Sequence, residues 1–491
     1  MTFKTPPKWN RRAFVRWLGA GAATSASLLW SGCGDGGQSG STSPERVIII
    51  GAGIAGLTLG NALAAAGVES VVLEARERIG GRVDSRDVGG VPVDLGGMWI
   101  SGPVGNPATC VMSEEGLEWR AAEPLDVTTR AYDAVLGQSL DLGALLEAAT
   151  AIDSFYEAVG GIARNLGPSA TSADAIQAFL DQAGLTGTER RYAEFALRVE
   201  FEINTAQSPE LVALSDNPSR ALPGGEHFPE GSYRGMVNAL GRGVDVRLET
   251  VVSRVAYDDD GVTVETSSGV ERGSHVVVTV PLGVLKAGAI AFSPELPEAK
   301  RGAISRLDMA ELEKVVLRYD EAFWPEPGTG NFLYLSEQSG EFPLIVDYTG
   351  FAEGAPTLVG FYCGDYGRGV SAMADEAISG RLAEIVEEIT GAPGPAPTDT
   401  HVTRWKSDPF AMGSYVYLPV GATSADIETL AEPVGERVLF AGEATSLDYN
   451  GYVHGAILSG IREAERLLGR QGRGVALESG LVVSLGCNEE A

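Results

Sequence analysis

Histidine and cysteine are both scarce in this chain, four of each among 491 residues. His227, His275, His401 and His454 form no H-x-x-x-H or H-E-x-x-H pattern, and Cys110, Cys363 and Cys487 lack metal-ligand spacing. A zinc-finger or zincin site is thereby excluded, no metal is expected, and disulfide pairing is left open. Positive charge is also in deficit, since 37 Lys and Arg face 66 Asp and Glu for a net charge of −29. A nucleic-acid partner needs a basic surface that this balance does not supply, whereas cations would be attracted. Long apolar runs are missing as well: Trp17 to Trp30 is diluted by Gly, Ala, Ser and Thr and falls short of the roughly 20 residues of a membrane span.

What remains is a globular composition, 44% apolar over a length too great for one ordinary core, which implies two domains. The organising stretch is 45–82. Val47 to Ile50 is a β-branched run, Gly51, Gly53 and Gly56 form a G-x-G-x-x-G turn, Leu57 to Ala66 has helical composition, and Val71 to Leu73 is a second strand. The first glycine permits the tight turn, the second lets backbone approach a pyrophosphate, and the third lets helix pack on strand. The phosphates would sit at a helix N-terminus, where unpaired N–H groups favour an anion. Glu74 follows at about the twenty-residue offset at which a carboxylate meets a ribose. The unit does not choose between nicotinamide and flavin.

Asn10 to Val15 carries the twin arginine Arg11-Arg12 before an apolar stretch and resembles a twin-arginine export signal. The segment Leu29-Trp30-Ser31-Gly32-Cys33 resembles a lipoprotein processing site, followed by a flexible linker from Gly34 to Ser43. Cys33 is therefore either a lipid anchor or a plain cysteine in a discarded peptide. The expected destination is the periplasm or a membrane-anchored lipoprotein. Further along, Val244 to Leu248 and Val251 to Val255 are β-rich, Val262 to Glu265 alternates as a hairpin strand, and His275 to Val280 is a buried strand. Arg437 to Phe440 and a helix from about Val453 to Leu468 come last.

Several strings together resemble the flavin-containing amine oxidases, nearest to the polyamine oxidases and the oxidase part of lysine-specific histone demethylases. They are RERIGGRV from Arg76, VDLGGMWISG from Val93, Gly105-Asn106-Pro107, TVPLGVLK from Thr279, DPFAMGSY from Asp408 and NGYVHGAILSG from Asn450. The resemblance implies an α/β fold: a Rossmann-type FAD-binding domain (45–102, 228–292, 433–470) with an interleaved α+β substrate domain (103–227, 293–432). Residues 1–44 would be signal and linker, and 471–491 a loose tail.

It also implies site residues. For FAD these are Gly51, Gly53, Ala55, Gly56, Glu74, Ala75, Arg76, Gly81, Arg82, Gly96, Gly97, Met98, Trp99, Val252, Trp405, Gly442, Glu443 and Val453. The family's lysine near flavin N5 matches Lys314, whose bland alternative is a lysine on a solvated strand edge. The family's aromatic cage matches Tyr415 and Tyr452 with Trp405 beside them, each of which could equally be core. Two π faces can hold an amine cation and orient its lone pair once neutral. Ser101 stands where polyamine oxidases often carry Glu or His. Ser446 to Asn450 contains no cysteine, so the FAD would be noncovalent. The implied reaction is hydride transfer from an amine to flavin N5, giving an imine, with O2 or another carrier as second substrate. The alternatives are an L-amino-acid oxidase, a carrier-linked dehydrogenase, or a noncatalytic protein on the same fold. The oligomeric state is left open.

Overall fold

The computed structural model describes residues 45–122, 129–214, 222–328 and 330–469, with 475–476 and 482–483. The export signal, Cys33 and Cys487 lie outside the described residues, as does most of the 471–491 tail. Within that tail the strands Val475–Ala476 and Val482–Val483 pair antiparallel, a local pairing that its sequence had not signalled.

A five-stranded parallel sheet carries the glycine-rich turn. Its order is Val246–Arg247, Ser70–Leu73, Val47–Ile50, His275–Val278, Val438–Phe440. Every residue from Val47 to Ile50 is buried, the continuous apolar pattern of a strand covered on both faces. Alternation then divides the work. Val47 and Ile49 pack against the helices Ile54–Ala65 and Val453–Leu467, whereas Ile48 and Ile50 pack beneath a four-stranded layer that includes Val255 and Val264. The two helices approach closely at Gly460, where an added Cβ would lie 2.5 Å from the Ala55 carbonyl. A larger residue there would force them apart.

The first β-rich stretch, Val244 to Leu248, yields only the two-residue strand Val246–Arg247, and the second is displaced to Val252–Tyr257. Boundaries shift because pairing partners decide which residues of a β-prone run join the ladder.

A seven-stranded sheet forms the second body, ordered Asp399–Val402, Leu312–Arg318, Thr357–Cys363, Leu344–Asp347, Phe332–Leu335, Arg130–Asp133, Gln138–Ser139. The helix Asp375–Thr390 covers one face, packing Ile378, Leu382 and Ile385 with Val315 and Leu317. The opposite face looks toward the parallel-sheet domain. Helices Leu142–Leu166, Ser172–Gln182 and Gly187–Thr205 complete this half around Ile152, Phe155, Phe179 and Leu197. The architecture is thus α/β, a Rossmann-type domain interleaved with a mixed α+β body.

Candidate active site

The glycine-rich turn, the seven-stranded sheet and two of the long helices enclose one cavity of about 2110 Å³. Its parallel-sheet end is built as an anion seat. Gly51 has φ of +106°, a conformation that other residues rarely adopt. At Gly53 a Cβ would meet nothing within 4 Å, while at Gly56 it would lie 2.0 Å from the Gly51 carbonyl. The helix Ile54–Ala65 has no side-chain cap and no acid in its first turn, so its first N–H groups are left for a ligand. Glu74 is 5% exposed and lines the cavity. Its carboxylate accepts from the backbone N–H groups of Ala52 (2.7 Å) and Arg76 (2.9 Å), which fixes it at the strand end.

The second anchor joins three segments. Arg82 donates to Glu443 Oε1 at 2.9 Å and to the Ser414 carbonyl at 2.8 Å, while Glu443 Oε2 accepts from Gly451 N–H at 2.8 Å. One buried carboxylate therefore ties the Gly-Gly-Arg turn to the segments bearing Tyr415 and Tyr452. Gly96 cannot be larger, because its Cβ would lie 1.7 Å from the Arg82 carbonyl. Trp405 closes over this turn, 7% exposed, with its indole N–H donating to the Leu95 carbonyl at 3.1 Å. A helix N-terminus free for phosphate, a carboxylate at the ribose position and a glycine cradle fit a dinucleotide such as FAD. Ala55, Ala75, Arg76, Gly81, Gly97, Met98, Trp99, Val252, Gly442 and Val453 all line the same cavity, whereas Gly56 lies behind it as a packing glycine.

Lys314 sits where the two bodies meet. Its strand has neighbours on both sides, so the solvated-edge alternative does not hold. With Val315 and Leu317 turned to the covering helix, alternation turns Lys314 to the cavity. It is 2% exposed, and Nζ donates to the backbone carbonyls of Asp94 and Gly96, each at 2.7 Å, 5.4 Å from the Phe361 ring centre. Burial pushes its pKa down to about 7, opposed by the nearby Asp94.

Tyr415 and Tyr452 line the cavity with Lys314 and Trp405. The Tyr415 hydroxyl donates to the Ile203 carbonyl at 3.0 Å, tethering it to the last turn of helix Gly187–Thr205. Burial holds its pKa well above the ordinary tyrosine value, so it remains a donor. The Tyr452 ring stacks on His454 at 4.9 Å and 20°, and His454 meets Tyr449 edge-on at 4.9 Å. Burial drives the His454 pKa down to about 3, so the imidazole is a neutral plate behind the tyrosine.

Two features escaped the sequence reading. Ser101 pairs across the strands with Glu226 and donates to its Oε2 at 2.9 Å; the missing carboxylate at Ser101 was the one available signal that an acid comes from elsewhere. The remaining wall comes from helices Leu142–Leu166 and Gly187–Thr205, and no motif marked their inner faces.

Residues 54–468 match the model of the flavin containing amine oxidoreductases. Lysine-specific histone demethylase 1 homolog 2 of Oryza sativa subsp. japonica is 35% identical over 445 residues, covering 87% of this chain and 58% of that protein. The chain therefore spans little more than half the length of that relative. Polyamine oxidase 4 of the same species is 30% identical over 437 residues, 86% of this chain and 88% of the relative. A solved putrescine oxidase structure superposes with a TM-score of 0.72 at 20% identity, covering 87% of this chain and 99% of the other, a likeness of fold.

Proposed function

The chain belongs to the flavin containing amine oxidoreductase family, and we propose that within it this protein oxidises a primary or secondary amine to an imine, with O2 as the second substrate. It is an FAD-dependent enzyme acting on CH–NH donors. Bound FAD supplies a two-electron acceptor for the amine Cα–H and passes those electrons on. The protein's part is binding, orientation and electrostatics.

The carrying observation is the placement of Lys314, a buried amine-bearing side chain that lines the same cavity as the dinucleotide seat and the two tyrosines. Held by two carbonyls, it keeps its third proton for the cavity, where an ammonium favours negative charge developing on an acceptor oxygen. Tyr415, fixed through Ile203, and Tyr452, backed by His454, offer ring faces that orient an incoming amine. The substrate nitrogen must be neutral to release hydride from its carbon.

An amino-acid substrate is disfavoured by the same cavity. Among the described residues its cationic lining groups are Arg76, Arg82 and Lys314. Arg76 is held by both oxygens of Asp408 at 2.7 Å and Arg82 by Glu443, which leaves neither guanidinium committed to a substrate carboxylate. Anaerobic stopped-flow mixing with an amine panel tests the reading. Bleaching of the bound flavin by amines is expected; bleaching by L-amino acids alone would reverse it.

We further propose export by the twin-arginine route, to the periplasm or as a membrane-anchored lipoprotein, supported by the Arg11-Arg12 signal. Replacing Arg11-Arg12 by Lys-Lys should hold the protein in the cytoplasmic fraction.

A further inference from the structure

We propose that Asp94 is a positioning residue that acts through Lys314: its backbone carbonyl places the lysine, and its carboxylate keeps the lysine charged. This rests on the amine-oxidase reading, in which the charge on Lys314 serves the return of electrons to the acceptor.

Asp94 ends the strand Val91–Asp94 and is 1% exposed. Its carbonyl oxygen and that of Gly96 each accept from Lys314 Nζ at 2.7 Å. A neutral amine has two N–H bonds and keeps both contacts, so these carbonyls fix where the nitrogen lies without fixing whether it is charged. The surroundings work against a charge. Lys314 is buried, with the Phe361 ring centre 5.4 Å from Nζ, and an ammonium taken out of water persists only where an anion compensates it.

The Asp94 carboxylate is that anion. It accepts from the Ser85 hydroxyl, directly opposite in the hairpin, and from Tyr233 N–H at 3.1 Å. It is thereby fixed within the same residue whose carbonyl holds the lysine, and it favours the charged form of Lys314 while burial opposes that form.

The other charged and titratable groups about the pair do not take over this part. Arg234 acts on Asp94 from the helix Arg234–Gly241 but is exposed and reaches Asp87 at 3.2 Å. Glu313, next to Lys314 in the strand, lies on the opposite face and accepts from Thr403 Oγ1 and Lys406 N–H. The phenols of Tyr233 and Tyr348 are held above the ordinary tyrosine value by burial and so stay neutral. An asparagine at 94 would have the same outline and could meet Ser85 and Tyr233 N–H as well, so the negative charge is the one property of Asp94 that its two hydrogen-bond partners do not require.

The test uses the holoenzyme labelled with carbon-13 at the ε-carbons of its six lysines. The resonance that disappears in Lys314→Met is followed by NMR against pH, without substrate or oxygen. In Asp94→Asn its midpoint should fall by about one pH unit or more, and the pH at which reoxidation in air slows should fall with it. Ser85→Ala removes a donor that favours the ionised acid, so it should move the midpoint the same way by less. An unmoved midpoint in the variants that fold would overturn the proposal, as would an effect of Asp94→Asn on reoxidation that persists undiminished in a Lys314→Met background. Should Lys314→Met reoxidise as fast as the parent, the reading of what the charge does fails, while the NMR midpoint alone decides whether Asp94 maintains it.

Discussion

Lys314 donates its ammonium to the backbone carbonyl of Asp94 at 2.7 Å, while the carboxylate of Asp94 is turned away to the Ser85 hydroxyl and to Tyr233 N–H at 3.1 Å. Burial pushes the lysine down to about 7 and the acid up to about 6.

Lys314→Met removes the charge and keeps similar length. The variant should bind FAD and be reduced by amine, yet reoxidise in air about tenfold more slowly, roughly 1.4 kcal/mol in barrier. In the parent the ammonium is present below about 7 and is lost as pH rises through it, so reoxidation should slow over that interval. Reduction should instead rise toward the substrate's own pKa, because the neutral amine reacts. Parallel pH profiles for the two half-reactions, or unchanged reoxidation in the variant, would return Lys314 to a structural role.

Tyr415 and Tyr452 should act on reduction and not on cofactor binding. Alanine at either position should slow flavin reduction by about one to two orders of magnitude. Tyr415→Phe keeps the ring and loses only the bond to Ile203, so it should cost less than alanine. Single-turnover rates decide this, and equal rates for all three variants and the parent would count against the cage.

Noncovalent FAD is expected, since no cysteine stands between Ser446 and Asn450. Acid precipitation should leave a yellow supernatant. Glu443→Ala unties Arg82 and Gly451 together and should weaken FAD retention by about tenfold or more, a loss near 1.4 kcal/mol. Ultrafiltration of the loaded variant gives the comparison.

Glu313 offers a stability test away from the chemistry. It accepts from Thr403 Oγ1 at 2.6 Å and Lys406 N–H at 2.9 Å, and burial raises its pKa from 4.5 to about 7. The folded chain then holds a proton that the unfolded chain releases between those values, so this residue's contribution to stability falls as pH rises through that window, by about 3 kcal/mol in all. Glu313→Gln cannot ionise. Its melting temperature relative to the parent should climb from the acid side of 4.5 to the alkaline side of 7; a constant difference would show that Glu313 titrates alike in the folded and unfolded chain.

Sequence alone determined the dinucleotide seat, because its requirements are local. The glycines, the β-branched run before them and Glu74 act through backbone geometry within one βαβ unit, and Gly56 must be glycine whatever lies elsewhere in the chain. The strings around Lys314, Tyr415 and Tyr452 named residues but not their surroundings. Lys314 could have faced solvent until strand pairing on both sides and the helix over Val315 and Leu317 turned it inward. Tertiary structure alone decided the substrate half. Ser101 and Glu226 meet across 125 positions, and helices Leu142–Leu166 and Gly187–Thr205 show a helical pattern that does not say which apolar residues line a cavity and which fill a core. That choice is made by packing between segments far apart in sequence, where no local rule reaches.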